Sequence, residues 1–253
     1  MRINAKELTH KQLNEKIRGA VRNGVKSVTL ENINGQRYIA SGIESGIKIK
    51  ILGTAGNDLA SFMSGCEIDV HGNAQDCAAN TMDDGKVIIR GSVGDILGYG
   101  MRGGKIFIQG NVGYRTGIHM KSYKSMIPVI VIGGTAGDFF AEYMAGGILI
   151  LLGLTSDISA MYPKSRSIGK IAGNFIGTGM HGGTVYIRGD IEKYQLGLEV
   201  EPVKLDKDDK IIIKKYVSEF SENFDYDQKK IYKKKFIKLK AINSRPYGTI
   251  YAY

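Results

Sequence analysis

The sequence predicts a mainly β protein built as a single-stranded parallel β-helix of about seven coils. Three observations predict it. First, the glycines that close short apolar runs fall at Gly53, Gly72, Gly91, Gly110, Gly134, Gly153 and Gly189, in steps of 19, 19, 19, 24, 19 and 36 residues. Second, an independent residue type keeps the same register: Met63, Met82, Met101, Met120, Met144 and Met180 step by 19, 19, 19, 24 and 36. Third, the runs alternate with the period of two that marks strands. One apolar set is Ile49, Ile68, Val87, Ile106, Ile130, Leu149 and Val185; the other, two residues on, is Ile51, Val70, Ile89, Ile108, Ile132, Leu151 and Ile187. A 19-residue unit with 34 glycines in the chain and no helical period is not an α-solenoid repeat.

Three segments follow in order. Residues 1–40 read as an N-terminal α/β cap. An amphipathic helix is expected over 6–23, with Thr9 and Gln12 as a capping box and Leu13, Ile17, Ala20 and Val21 on one face. Asn34–Gly35 between strand-like runs then signals a hairpin. Residues 41–200 hold the coils. Each unit is a run ending in Gly, then an arc G-x-x-G-x-x-x-G, then Met. The arcs are carried by Gly53 and Gly56; Gly91, Gly94 and Gly98; Gly110, Gly113 and Gly117; Gly134 and Gly137; and Gly173 and Gly177, with Ala60, Ala79 and Ala141 standing at the third place. Small residues there let the chain turn and keep coils close, while the Met column reads as core filling an irregular corner. The long steps place insertions near KSYKSMIP and at LTSDISAMYPKSRSIGK. Residues 201–253 form a lysine-rich segment with one or two helices over 205–240 and an extended tail. The cap and the C-terminal helices are expected to close the two open ends of the coil stack.

Composition narrows the function. The net charge is +10, but residues 204–240 hold twelve Lys against seven interleaved Asp or Glu, and no aromatic–arginine platform for nucleic acid accompanies them. Two cysteines, Cys66 and Cys77, make neither a disulfide framework nor a four-ligand metal site, and read as buried small thiols. No apolar run approaches the roughly 20 residues of a membrane span, and the N-terminus shows no signal region. A cytoplasmic protein without membrane or nucleic-acid partners is expected.

No motif supplies a catalytic or cofactor site. Gly98–Gly103 and Gly177–Gly182 both match G-x-G-x-x-G, but each precedes a strand inside a repeat, whereas a nucleotide fingerprint follows a strand and opens a helix. Asn57, Asp76, Asp95, Asp138 and Asn174 recur beside the second arc glycine and read as turn caps bonding local amides. His10, His71, His119 and His181 share no register and no metal spacing, which suggests surface or turn roles. One outward column needs a cover: Lys50, Asp69, Ile88, Phe107, Val131, Ile150 and Tyr186 turn apolar from the third member. The terminal segments or a partner could supply it. Ile88, Phe107, Val131 and Ile150 are the first candidates for a partner interface, and the lysine-rich segment the second.

The arcs, and above all GGTAGDFFAEYMAGGILILLGL (133–154) with FIGTGMHGG (175–183), resemble the C-terminal β-helix (GXGXG) domain of the glutamate synthase large subunit in its free-standing archaeal-type form. The resemblance covers about residues 40–200 and implies a right-handed coil. It further implies a non-catalytic structural subunit that organises a glutaminase subunit and an FMN-binding synthase subunit, with FMN and an iron–sulfur cluster on the partner and no cofactor on this chain. The same coils are similar to the β-helix subunit of formylmethanofuran dehydrogenase, a molybdenum or tungsten enzyme, which is the alternative within the family. An alternative of another class is a stand-alone β-helix hydrolase or lyase, which requires acids or histidines to converge on one outer face.

Overall fold

The computed structural model describes residues 1–154 and 170–244. The chain begins with β1 (Arg2–Asn4) and α1 (His10–Arg22), followed by β2 (Ser27–Asn34). The repeat supplies β3 (Lys48–Thr54), β4 (Glu67–His71), β5 (Lys86–Ile89), β6 (Lys105–Ile108), β7 (Val129–Ile132), β8 (Ala145–Leu151) and β9 (Gly182–Arg188). A 3-10 turn, β10 (Val200–Val203), α2 (Lys207–Phe224), α3 (Gln228–Ile231) and β11 (Phe236–Ala241) complete it. All strands lie in one sheet of order β1-β2-β3-β4-β5-β6-β7-β8-β9-β11-β10, parallel from β1 to β9.

The predicted register holds residue for residue: Ile49 pairs with Ile68, Ile68 with Val87, Val87 with Ile106, Ile106 with Ile130, Ile130 with Leu149, and Leu149 with Val185. Both inward sets and all six methionines of the column are buried in one core. A second column of parallel bridges runs Ala55, Ala74, Val93, Val112, Ala136, Ala172, so the coils are bonded at more than one side. The result is a parallel β-solenoid. Its repeat makes about six turns, against about seven coils read from the sequence, because the seven glycine-closed runs are seven strands separated by six crossings.

The ends correct three expectations. Asn34–Gly35 turns no hairpin: β2 pairs in parallel with both β1 and β3, and the Gly35 amide donates onward to Thr54 O at 2.8 Å. The asparagine–glycine pair therefore continues a coil, and β2 is an extra N-terminal rung of the ladder. The helix starts at His10 instead of residue 6, because the capping box of Thr9 and Gln12 sets its first turn. Leu13, Ile17 and Ala20 close the core over Val28 and Leu30, while Val21 is only partly buried. At the other end the stack is closed by strands, not helices. β11 runs antiparallel to β9 and β10, which stops the parallel ladder, and the edge strand β10 is four residues long and carries Pro202, a poor template for further pairing. The tail after residue 244 and most of the longer insertion lie outside the described residues.

Candidate functional site

The outward column is covered by the chain itself. Helix α2 buries Ile213, Tyr216, Val217, Phe220 and Phe224, a stripe at helical spacing. These pack with Ile88, Phe107, Val131, Ile150 and Tyr186 into a second hydrophobic cluster. Phe107, Val131 and Ile150 are fully buried, so the four proposed interface residues form an internal seam and not an open partner surface. The reason is physical: an amphipathic helix of the same chain removes a five-member apolar column from water without the cost of immobilising a second molecule.

Polar contacts fix α2 along the column. The Tyr186 hydroxyl donates to Asp209 Oδ1 at 2.6 Å, and Lys238 Nζ on β11 donates to Asp209 Oδ2 at 2.7 Å. Burial alone raises the Asp209 pKa, but the hydrogen bonds from Lys238 and Tyr186 outweigh it and hold the carboxyl down to about 2. Further along, Lys105 Nζ meets Glu219 at 2.9 Å, and Lys86 Nζ donates to Asn223 Oδ1 at 2.8 Å. Arg188, which flanks the inward set of β9, is buried and donates to Ile231 O (2.6 Å), Leu152 O (3.0 Å) and Lys230 O (3.1 Å).

The arcs explain both the glycines and the acids. Asp76 Oδ1 accepts from the Asp95 amide (2.8 Å), Asp95 Oδ1 from Tyr114 (2.8 Å), and Asp138 Oδ1 from Asn174 (2.7 Å). Asn73, Ser92 and Asn111 do the same for Ser92, Asn111 and Thr135. These are caps, but each reaches across to the next coil, where the sequence suggested local turn caps. A Cβ at Gly94 or Gly113 would overlap the carboxylate of Asp76 or Asp95, which is why those positions are glycine. In each arc alternate residues are left-handed, as at Cys77, Ala79 and Thr81 (φ +60°, +56°, +53°). Cys77 and Thr81 donate their amides forward to Asp95 O (2.9 Å) and Tyr99 O (2.7 Å), and Ala79 donates backward to Leu59 O (2.7 Å). Each non-glycine in this region costs about 1 kcal/mol, which a coil-to-coil hydrogen bond of similar size offsets.

Left-handed residues project an open aromatic face that has no counterpart in the sequence-based expectations. Phe139 stacks on Phe175 (centroids 5.0 Å), His119 on Tyr143 (5.2 Å), and Arg115 lies 4.6 Å from the Phe139 centroid. Phe62 and Phe175 are 55% and 50% exposed. The only sequence signal was the residue two places either side of the small third arc position. His119 and His181 line one shallow cavity of about 420 Å³ with Tyr99, Tyr143, Arg102 and Lys121. Arg102 is bound to Asp83, Nη2 to Oδ2 at 2.7 Å. His71 sits 3.2 Å from Asp69, and His10 is edge-on to Tyr38. Cys66 is buried, and burial pushes its thiol up to about 11. Cys77 is partly exposed, contrary to expectation, because it stands two places before the buried Ala79 on the outer side of the arc; burial and the carboxylates of Asp58, Asp76 and Asp95 raise its pKa, so the thiolate is disfavoured.

A second cavity, about 710 Å³, lies between α2 and the α3–β11 connection. Leu205, Ile213 and Phe236 form its apolar part, and Lys210, Lys214, Lys233, Lys234 and Lys235 its rim. Among the described residues no group of three or more His, Cys, Asp or Glu is placed to hold a metal ion, and no helix is long and apolar enough to cross a membrane.

Comparison with known proteins agrees with this architecture. The GXGXG motif family matches residues 2–242. MJ1350, an uncharacterized protein of Methanocaldococcus jannaschii, is 46% identical over 255 residues, covering 98% of this chain and 95% of that protein. Among solved structures, a chain of the formyltransferase/hydrolase complex FhcABCD of Methylorubrum extorquens, determined with methylofuran, superposes with a TM-score of 0.62 over 92% of this chain and 87% of its own length, at 18% identity.

Proposed function

From the premise that the chain belongs to the GXGXG motif family, we propose that it is a non-catalytic scaffold subunit of a multisubunit enzyme complex. The observation that carries this reading is the fate of the repeated acids. The arc carboxylates of Asp76, Asp95 and Asp138 are engaged as coil-to-coil caps. They are one per coil and already bonded, and so are poorly suited to the paired acid–base work of a β-helix hydrolase. The open aromatic face, with Phe62 and Phe175 half exposed, offers the large ring side chains that anchor protein interfaces.

Two finer readings differ in the complex served. The likeness over most of the chain to a component of a formyltransferase/hydrolase complex supports a role like that of the β-helix subunit of a molybdenum or tungsten formylmethanofuran dehydrogenase. The run at 133–154 and FIGTGMHGG support the glutamate synthase type, in which the chain would organise a glutaminase subunit and an FMN-binding synthase subunit, with FMN and the iron–sulfur cluster on the partner. Affinity purification of the tagged chain from its native cells, with mass spectrometry, separates them. Molybdopterin-enzyme subunits in near-equal amounts support the first, and glutaminase-like and FMN-synthase-like proteins the second. Recovery of this chain alone contradicts the scaffold role, and loss of a measured hydrolytic activity in a folded Asp95→Ala variant would return the enzyme reading.

A further inference from the structure

The lysine-rimmed groove between α2 and the α3–β11 connection is chemically unlike the rest of the surface. Lys105 and Lys238, which pack against the fold, have carboxylate partners: Lys105 with Glu219, and Lys238 with Asp206 and Asp209. Among the described residues, the rim lysines Lys210, Lys214, Lys233, Lys234 and Lys235 have no ion pair and no carboxylate lines the groove. Four acids near it are engaged elsewhere: Asp206 and Asp209 cap α2 and bind Lys238, Glu219 binds Lys105, and Asp227 accepts from the Lys229 amide. Five ammonium groups around one concavity repel one another and concentrate anions at its mouth. The floor is apolar, and the volume of about 710 Å³ is that of a ligand-sized site.

We infer that this groove docks an acidic peptide segment of a partner subunit, its carboxylates meeting the lysine rim and an aliphatic or aromatic side chain filling the floor. A nucleic-acid strand would meet the rim through its phosphates, but the aliphatic floor of Leu205 and Ile213 suits an apolar side chain better than a polar base edge. The strands beside the groove are paired, β11 with β9 on one side and β10 on the other, so the peptide is held by side chains and adds no strand. The inference rests on the scaffold reading and names the chemistry of one partner contact.

The test uses the purified full chain and fluorescence anisotropy. The probes are a short peptide alternating Glu and Leu, the same length alternating Glu and Ser, an oligo-dT strand, and phosphatidylserine vesicles. Saturable binding of the Glu–Leu peptide, tighter than Glu–Ser and than oligo-dT, is expected. Binding should weaken about tenfold in Lys233→Glu/Lys234→Glu/Lys235→Glu, and likewise in Lys210→Gln/Lys214→Gln, with an unchanged thermal midpoint. Absence of saturable peptide binding, equal affinity in the folded variants, or tighter binding of oligo-dT or vesicles overturns the inference. The same triple variant, tagged in native cells, separates the two levels. If wild type and variant recover identical partners in identical amounts, the groove inference fails and the scaffold stands. If wild type recovers none, the scaffold reading itself fails.

Discussion

The outward column of the sheet reads differently at its two ends. In β3 and β4 it is the exposed Lys50 and the partly exposed, ion-paired Asp69; from β5 onward it is Ile88, Phe107, Val131, Ile150 and Tyr186, sealed under α2. The change falls where the helix stops. Asn223, near the end of α2, holds Lys86 and accepts from Arg90, and Arg90 in turn grips Asp69 with two bonds of 3.0 Å. The inward columns show no such change. A solenoid thus repeats what every coil must do, and departs from the repeat only where something outside the repeat touches it. The departure is the more informative signal.

The largest test of this contrast is a truncation on each side of the boundary. Phe107→Ala removes a fully buried ring from under α2 and should cost about 3–5 kcal/mol in denaturant unfolding. Lys50→Ala, on the same column but in the open half, should stay within about 0.5 kcal/mol. Comparable losses would break the distinction.

Next in size is the polar latch at the covered end, centred on Asp209. Its carboxyl has a folded pKa of about 2, below its unfolded value, so its stabilisation is present above about pH 4 and is lost as pH falls toward 2. Asp209→Asn should therefore lower the melting temperature at neutral pH, by an amount equivalent to about 2–4 kcal/mol, and flatten the acid limb of the melting curve between those values. An unchanged acid limb would mean that other carboxyls carry it.

The arcs sharpen the comparison because they do not distinguish the two halves. Gly56→Ala would press on Gly35 O in the open half, and Gly113→Ala on Asp95 Oδ1 in the covered half. Both should cost about 1–3 kcal/mol. A small effect is expected at the boundary itself: Asp69→Ala breaks a partly exposed pair with Arg90 and should cost about 1 kcal/mol or less at low salt.

What the sequence made legible was what repeats. Ile49, Val87 and Ile106 could be placed in register because the same pattern recurs every 19 residues, and the need to cover Phe107 and Val131 followed from their outward phase. What covered them was harder to read, because lysines interrupt the apolar stripe of α2 and that stripe meets most of its partners more than a hundred residues away, as Lys105 and Glu219 do. The Asn34–Gly35 pair misled because a left-handed glycine serves a coil corner as readily as a hairpin. The left-handed Phe139 and Tyr143 had only their spacing about Ala141 as a signature: their amides donate to Asn174 O and Thr178 O of the next coil, a contact no short window contains. The same holds for Arg188, whose acceptors are carbonyls of distant segments.

Hydrogen–deuterium exchange on the isolated full chain tests the central claim most directly, because no partner is present to supply a cover. If α2 seals the column, amides of α2 from Ile213 to Phe224 should exchange as slowly as those of β6 and β7, in one cooperative class. Rapid exchange through α2 over a protected solenoid would contradict the account, leaving Phe107, Val131 and Ile150 as an open surface for another protein.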